Sequence, residues 1–131
     1  RIQDLAIAAA SGGADGLSLI NTLVGMQIDL RTRKPILGNR TGGLSGQAIK
    51  PVAVRMVYDV AKEVDLPIIG LGGIYSGRDA AEFIMAGAWA VQVGTANFTD
   101  PLACPRIIAE LRSFMEAEGI RNISEIRGCA L

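Results

Sequence analysis

The chain contains no histidine. That absence excludes a histidine-based catalytic triad and any histidine-rich metal site within these residues. Cysteine is scarce as well, with Cys104 and Cys129 the only two. Zinc held by two distant cysteines alone would be under-coordinated, and the four thiolates of an iron–sulfur cluster are not here. Neither cysteine has an adjacent base or metal-ligand spacing, so both read as inert, reduced thiols of the cytoplasm. Net charge is absent too, 13 basic residues balancing 13 acidic ones. Nothing electrostatic therefore argues for nucleic acid or an acidic membrane surface. Long apolar runs are missing: the one strongly apolar stretch, Pro67–Ile74, is far too short to span a bilayer. The opening Arg1-Ile2-Gln3-Asp4 reads as a charged helical start rather than a secretory signal. Because the first residue is Arg and not Met, the sequence is expected to begin inside a longer protein.

What the chain does have is glycine, 16 residues of 131. Three glycine-rich patches each follow an apolar run: Thr41-Gly42-Gly43-Leu44-Ser45-Gly46, Leu71-Gly72-Gly73-Ile74 and Val93-Gly94-Thr95-Ala96. A helical pattern follows each of them. Bare backbone at a strand end lets a phosphate approach closely, and a following helix offers free N–H groups and a positive dipole end. Gly46, Gly72-Gly73 and Gly94-Thr95 could converge on one phosphate, as in barrels that bind phosphorylated ligands at the C-terminal ends of their last strands. The bland alternative is that each glycine pair is simply a tight βα turn.

Periodicity supplies the framework. Ile2–Ala10 reads as a helix stopped by Gly12-Gly13, and Asp15–Ile20 as a buried strand. Leu23 to Ser45 is a long connection, expected to carry a hairpin with Met26–Leu30 against Pro35–Gly38. A helix over Ala48–Val64 has Pro51 in its first turn, where proline is tolerated. The strand Ile68–Leu71, a helix over Arg78–Met85, the strand Trp89–Val93, a helix over Leu102–Glu118 and a short one over Ser124–Arg127 follow. Alternating strands and helices imply a parallel sheet with right-handed crossovers. A complete (β/α)₈ barrel takes ~250 residues, so this chain would supply roughly half of one. Trp89 reads as packing, and Arg31, Arg33 and Lys34 as a solvated hairpin tip or a partner-facing cluster. Asn21 and Thr22 end the first strand. They suit a turn, or the recognition of a planar polar substrate by amide and hydroxyl groups.

Four ordered motifs resemble the dihydroorotate dehydrogenases, specifically the NAD-linked branch (class 1B) of that flavoenzyme family. They are Ser18-Leu19-Ile20-Asn21-Thr22-Leu23-Val24-Gly25-Met26, Asn39 through Pro51, Ile69-Gly70-Leu71-Gly72-Gly73-Ile74, and Val91-Gln92-Val93-Gly94-Thr95-Ala96-Asn97-Phe98. The similarity runs from about Asp4 to Phe114. Gln47 departs from the proline that many relatives have at that helix start, a substitution the position accepts.

The resemblance implies the C-terminal half of an FMN-binding (β/α)₈ TIM barrel, with residues 1–131 one continuous part of a single domain. It implies oxidation of dihydroorotate to orotate in pyrimidine biosynthesis, with a base removing the C5 proton while C6 delivers hydride to the flavin. Ile20 is then expected to pack on the isoalloxazine. Gly46, Gly72, Gly73, Gly94 and Thr95 are expected to hold the phosphate and ribityl region of FMN. Asn21 and Thr22 are expected to hydrogen-bond the substrate. The family's catalytic base, a cysteine in this branch, lies upstream, and neither Cys104 nor Cys129 matches its position, so no catalytic residue is carried over. The implied partners are a second barrel subunit in a homodimer and an electron-transfer subunit carrying FAD and an iron–sulfur cluster. The rival readings are a dihydropyrimidine dehydrogenase-type flavoenzyme, a non-flavin barrel such as a phosphosugar isomerase, and a catalytically incomplete half-barrel that binds FMN or phosphate. Asn21-Thr22 and the long hairpin loop argue against the isomerase.

Overall fold

Three short segments, Leu17–Leu19, Ile68–Leu71 and Ala90–Gln92, build a small parallel sheet. The computed structural model describes residues 1–131. Helix α1 (Ile2–Ser11) ends at Gly12 and leads into β1 (Leu17–Leu19). An excursion follows, made of β2 (Leu23–Gly25), β3 (Ile28–Asp29), β4 (Lys34–Pro35) and β5 (Gly42–Leu44). A 3₁₀ turn over Gln47–Ile49 opens directly into α2 (Lys50–Ala61). Then come β6 (Ile68–Leu71), α3 (Gly77–Met85), β7 (Ala90–Gln92), the four-residue α4 (Ala96–Thr99) and α5 (Ala103–Ala117). A last 3₁₀ turn spans Ile123–Glu125.

The three-stranded sheet has the order β1-β6-β7. Both pairings are parallel, with Ser18 opposite Ile69 and Ile69 opposite Ala90. Successive side chains of a strand point to opposite faces. The row Leu19, Gly70 and Val91 therefore faces the helices. The row Ser18, Ile69 and Ala90 faces the other way, where Ser18 and Ala90 are exposed. That uncovered face is mixed in polarity rather than uniformly apolar, because Ser18 and Gln92 lie on it.

The core sits between the sheet and α2 and α3, with Phe83, Ile68, Val57 and Val60 its largest fully buried side chains. Gly70 is a glycine in mid-strand because a Cβ there would come within 2.6 Å of the Phe83 ring. Ser76 starts α3, its hydroxyl accepting from the Asp79 N–H at 3.1 Å. This satisfies one of the unpaired donors of the first turn.

Three expectations need correction. The hairpin is present but short, with Ile28 opposite Pro35, and a second antiparallel pair that periodicity does not reveal, β2 with β5, closes its base. Gly42 and Gly43 are part of that pair and so are not a loop at the end of a parallel strand. Trp89 is half exposed rather than packed in the core; the Arg127 guanidinium lies 3.9 Å from its ring centre. Arg31 and Thr32 donate their N–H groups to the Asp29 carboxylate in the hairpin turn, which leaves Arg31, Arg33 and Lys34 exposed.

Candidate functional site

Because β1, β6 and β7 are parallel, the loops that leave them emerge at one end of the sheet. Ile20, Asn21 and Thr22 follow β1, Gly72 and Gly73 follow β6, and Gly94 and Thr95 follow β7. The excursion returns Ser45 and Gly46 to the same end. Gly73 has a φ of 78°. A Cβ on it would lie 2.8 Å from the Gly46 carbonyl oxygen and 2.8 Å from the Lys50 backbone nitrogen. Gly46, with a φ of 96°, stands so that a Cβ there would be 3.7 Å from the Tyr75 hydroxyl and 3.8 Å from the Thr95 methyl. The Thr95 hydroxyl donates to Ser45 Oγ at 2.9 Å. Three loops from three parts of the chain therefore touch one another.

Their backbone donors are available. The N–H groups of Gly46, Gly72, Gly73, Gly94 and Thr95 donate to no backbone acceptor outside the regular elements, and no side chain accepts from them. Unpaired N–H groups on neighbouring loops suit an anion with several acceptor oxygens. The donors come mostly from loop backbone rather than from helix ends. Helix α3 begins only at Gly77, and α4 has just four residues and little dipole to offer. Gly72 differs from its neighbour: a Cβ on it would meet Ala53, Ile49 and Ile20, so its bare α-carbon faces the core.

The other predicted residues sit beside this cradle. Ile20 is buried and donates its N–H to the Leu71 carbonyl at 3.0 Å, tying β1 to β6 at the rim. Asn21 and Thr22 are exposed. The Asn21 carbonyl oxygen accepts from the Thr22 N–H at 2.8 Å. Its amide N–H₂ stays free to donate outward. The Thr22 side chain lies on the backbone of Gly43, which explains why no side chain is tolerated there. Gly43 thus serves the approach of Thr22, not a phosphate.

Sequence reasoning missed the polar groups behind the cradle. Lys50 contacts Asp79 at 2.7 Å and Glu82 at 2.8 Å. Burial works to raise the Asp79 pKa, but hydrogen bonds from Lys50, the Tyr75 N–H and Ser76 outweigh it and hold the carboxyl below its usual range. Hydrogen bonds to Asp79 and Glu82 raise Lys50 in turn. No spacing rule connects residues 29 positions apart, so this pair carries no signal in the sequence.

A parallel α/β sheet whose strand-end loops meet at one end is the architecture of part of a (β/α)₈ barrel. A profile of the dihydroorotate dehydrogenase family matches residues 1–115, and the chain belongs to that family. Among its relatives, the dihydroorotate dehydrogenase B (NAD(+)) catalytic subunit of Bacillus cytotoxicus is 61% identical over 127 residues, covering 97% of this chain and 41% of the relative. The subunit of the same name from a Geobacillus species is 59% identical over the same length, again covering 97% of this chain and 41% of the relative. The chain thus spans about two fifths of the curated relatives it matches. A crystal structure of the Eimeria tenella enzyme, described as DHODH in complex with ferulenol, superposes with a TM-score of 0.78 at 35% identity, over 97% of this chain and 34% of that one. The NAD-linked branch, the TIM-barrel fold class and the partial span expected from the motifs agree with these findings.

Proposed function

We propose that this chain provides the phosphate cradle and a substrate-recognition loop of an FMN-dependent dihydroorotate dehydrogenase. That enzyme would oxidise dihydroorotate to orotate and pass electrons through a partner subunit to NAD. The observation that carries this reading is the meeting of Gly46, Gly73 and Thr95 with free amide donors, in a chain of this family.

Two observations support the fit to the cofactor's phosphate: the loops meet so closely at Gly73 that a Cβ would come within 2.8 Å of the Gly46 oxygen, and the amide N–H groups of Gly46, Gly73, Gly94 and Thr95 donate to no group of the chain. FMN, when bound, supplies the hydride acceptor. The chain's own part is to hold and orient. Gly46, Gly72, Gly73, Gly94 and Thr95 would donate N–H groups to the phosphate and ribityl region. Ile20, at the rim between β1 and β6, would back the ring. Asn21, through its free amide N–H₂, and Thr22 would hydrogen-bond the pyrimidine ring and carboxylate region. Rigid donors of this kind fix the reacting atoms and stabilise developing charge.

No base is assigned within the chain. Cys104 Sγ contacts the Asn97 carbonyl oxygen at 3.4 Å, and Cys129 sits in the last turn. This reading places the base in residues outside this chain, as the resemblance to the family implies. The reading extends to a cytoplasmic location, to residues 1–131 as part of one FMN-binding domain, and to a homodimer of barrel subunits joined by an FAD and iron–sulfur subunit. The relatives' designation as a catalytic subunit supports the existence of a second subunit, and no helix is long and apolar enough to cross a membrane.

The test is made on the full-length protein carrying this sequence. It should release FMN on denaturation, and dihydroorotate should bleach its flavin absorbance under anaerobic conditions. A colourless protein, or a bound flavin that dihydroorotate does not reduce, would overturn the proposal.

A further inference from the structure

Two polar straps lie behind the cradle, and between them they reach two of its loops and the short helix that follows the third. The first joins the loop at Gly46 to the loop at Gly73. Lys50, at the start of α2 and packed against Gly73, holds Asp79 Oδ1 at 2.7 Å. The other oxygen of Asp79 accepts from the Tyr75 N–H at 2.9 Å. One carboxylate thus pins the Gly72–Tyr75 segment to the helix that follows Gly46. Glu82 meets the same Lys50 ammonium at 2.8 Å but bonds no loop backbone.

The second strap joins the loop at Gly73 to the end of α4, the four-residue helix that follows Gly94 and Thr95. It is made by Arg106 on α5. Its Nη1 donates to the Tyr75 carbonyl at 3.1 Å and to Glu110 Oε1 at 2.8 Å. Its Nε donates to Asp100 Oδ2 at 2.9 Å. Asp100 closes α4, the helix that begins right after Gly94 and Thr95. Glu110 in turn accepts from the Gly77 N–H at 2.8 Å, where α3 begins. A guanidinium can do this because its donors form a rigid planar fork; an ammonium on a flexible stem is a point charge that does not reproduce that fork.

We propose that Asp79 and Arg106 are positioning residues that fix the distances between the three loops and so set the cradle's selectivity for a phosphate-bearing flavin. This rests on the reading of the loops as the FMN phosphate site. Neither residue is assigned a contact with the ligand. Their effect is geometric: backbone donors 1 Å out of place hydrogen-bond poorly, because such bonds weaken steeply with distance and angle.

The experiment compares two flavins on the full-length apoprotein, FMN and riboflavin, which differ only in the phosphate. Fluorescence quenching gives a Kd for each. The unmodified protein should prefer FMN. In Arg106→Met and in Asp79→Asn the ratio of the two affinities should fall about tenfold, with riboflavin binding little changed. Arg106→Lys should recover part of the ratio, since one of the fork's contacts can be remade. The Arg106 side chain is 41% exposed, so its replacement leaves the core intact, and the two Arg106 variants carry the test if Asp79→Asn fails to fold. A ratio unchanged in the variants would overturn the proposal. So would equal weakening of both flavins, the mark of a merely structural role. An unmodified protein that binds both flavins equally would overturn the phosphate reading itself, before any variant is compared.

Discussion

Gly73 leaves no room for a side chain. Its φ of 78° suits glycine, and a Cβ would crowd the Gly46 carbonyl and the Lys50 backbone nitrogen, both at 2.8 Å. Gly73→Val in the full-length protein is expected to push the first two loops apart and abolish flavin retention, measured as FMN released per mole of protein. Unchanged stoichiometry would sink the assignment. Asn21 makes a different case. Its carbonyl is committed to Thr22, and its amide N–H₂ is free. Asn21→Ala should keep FMN and weaken orotate binding or turnover by about 1–3 kcal/mol, the cost of a lost hydrogen bond to a polar substrate. Equal turnover and equal orotate affinity would contradict a substrate role. At this scale the meeting of the loops at Gly46, Gly73 and Thr95 is legible, because each loop carries glycine just after an apolar run. Gly42 and Gly43 are misleading, since the approach of Thr22 to Gly43 depends on a pairing between segments some twenty residues apart. The Lys50–Asp79 pair and the Arg106 contact with the Tyr75 carbonyl are invisible for the same reason: these partners are near in space and about thirty residues apart in sequence.

Among the elements, α2, α3 and β6 form the unit on which the rest depends. The Phe83 ring lies against Gly70 and is fully buried. Phe83→Ala should destabilise the protein by about 3–5 kcal/mol, because the cavity left beneath β6 cannot collapse onto a strand that has no side chain to offer. Denaturant unfolding measures this; a loss under about 1 kcal/mol would mean that the site can relax, contrary to the packing seen here. Helices α1, α2, α3 and α5 are legible within a few residues because their apolar faces recur at helical spacing. Strands β2 and β5 are not legible. They have three residues each, two of them glycine in β5, and long-range pairing alone defines them. The first strand is also shorter than Asp15–Ile20 suggests: its ladder covers only Leu17–Leu19, opposite Ile68–Gly70.

At the scale of the whole molecule, the sheet has two open edges. Strands β1 and β7 each pair with one neighbour only. Unpaired strand edges are templates for association, and large exposed apolar side chains add to the tendency. Leu5 is 73% exposed, Leu30 89% and Phe98 90%. The mixed polarity of the uncovered face, with Ser18 and Gln92 on it, moderates this tendency without removing it. Residues 1–131 expressed alone are therefore expected to associate and to elute ahead of a monomer on sizing chromatography. They are also expected to lack turnover. The proposed substrate loop holds neutral Asn21 and Thr22, the base is assigned outside this chain, and proton abstraction by a positioned group contributes ~10²–10⁴-fold. The assay is dihydroorotate oxidation with an artificial electron acceptor, run beside the full-length protein under the same conditions. A monomeric, FMN-loaded preparation of residues 1–131 with turnover near that of the full-length protein would show that the open edges are harmless and that a base lies within these residues. It would overturn both the association argument and the assignment of the base.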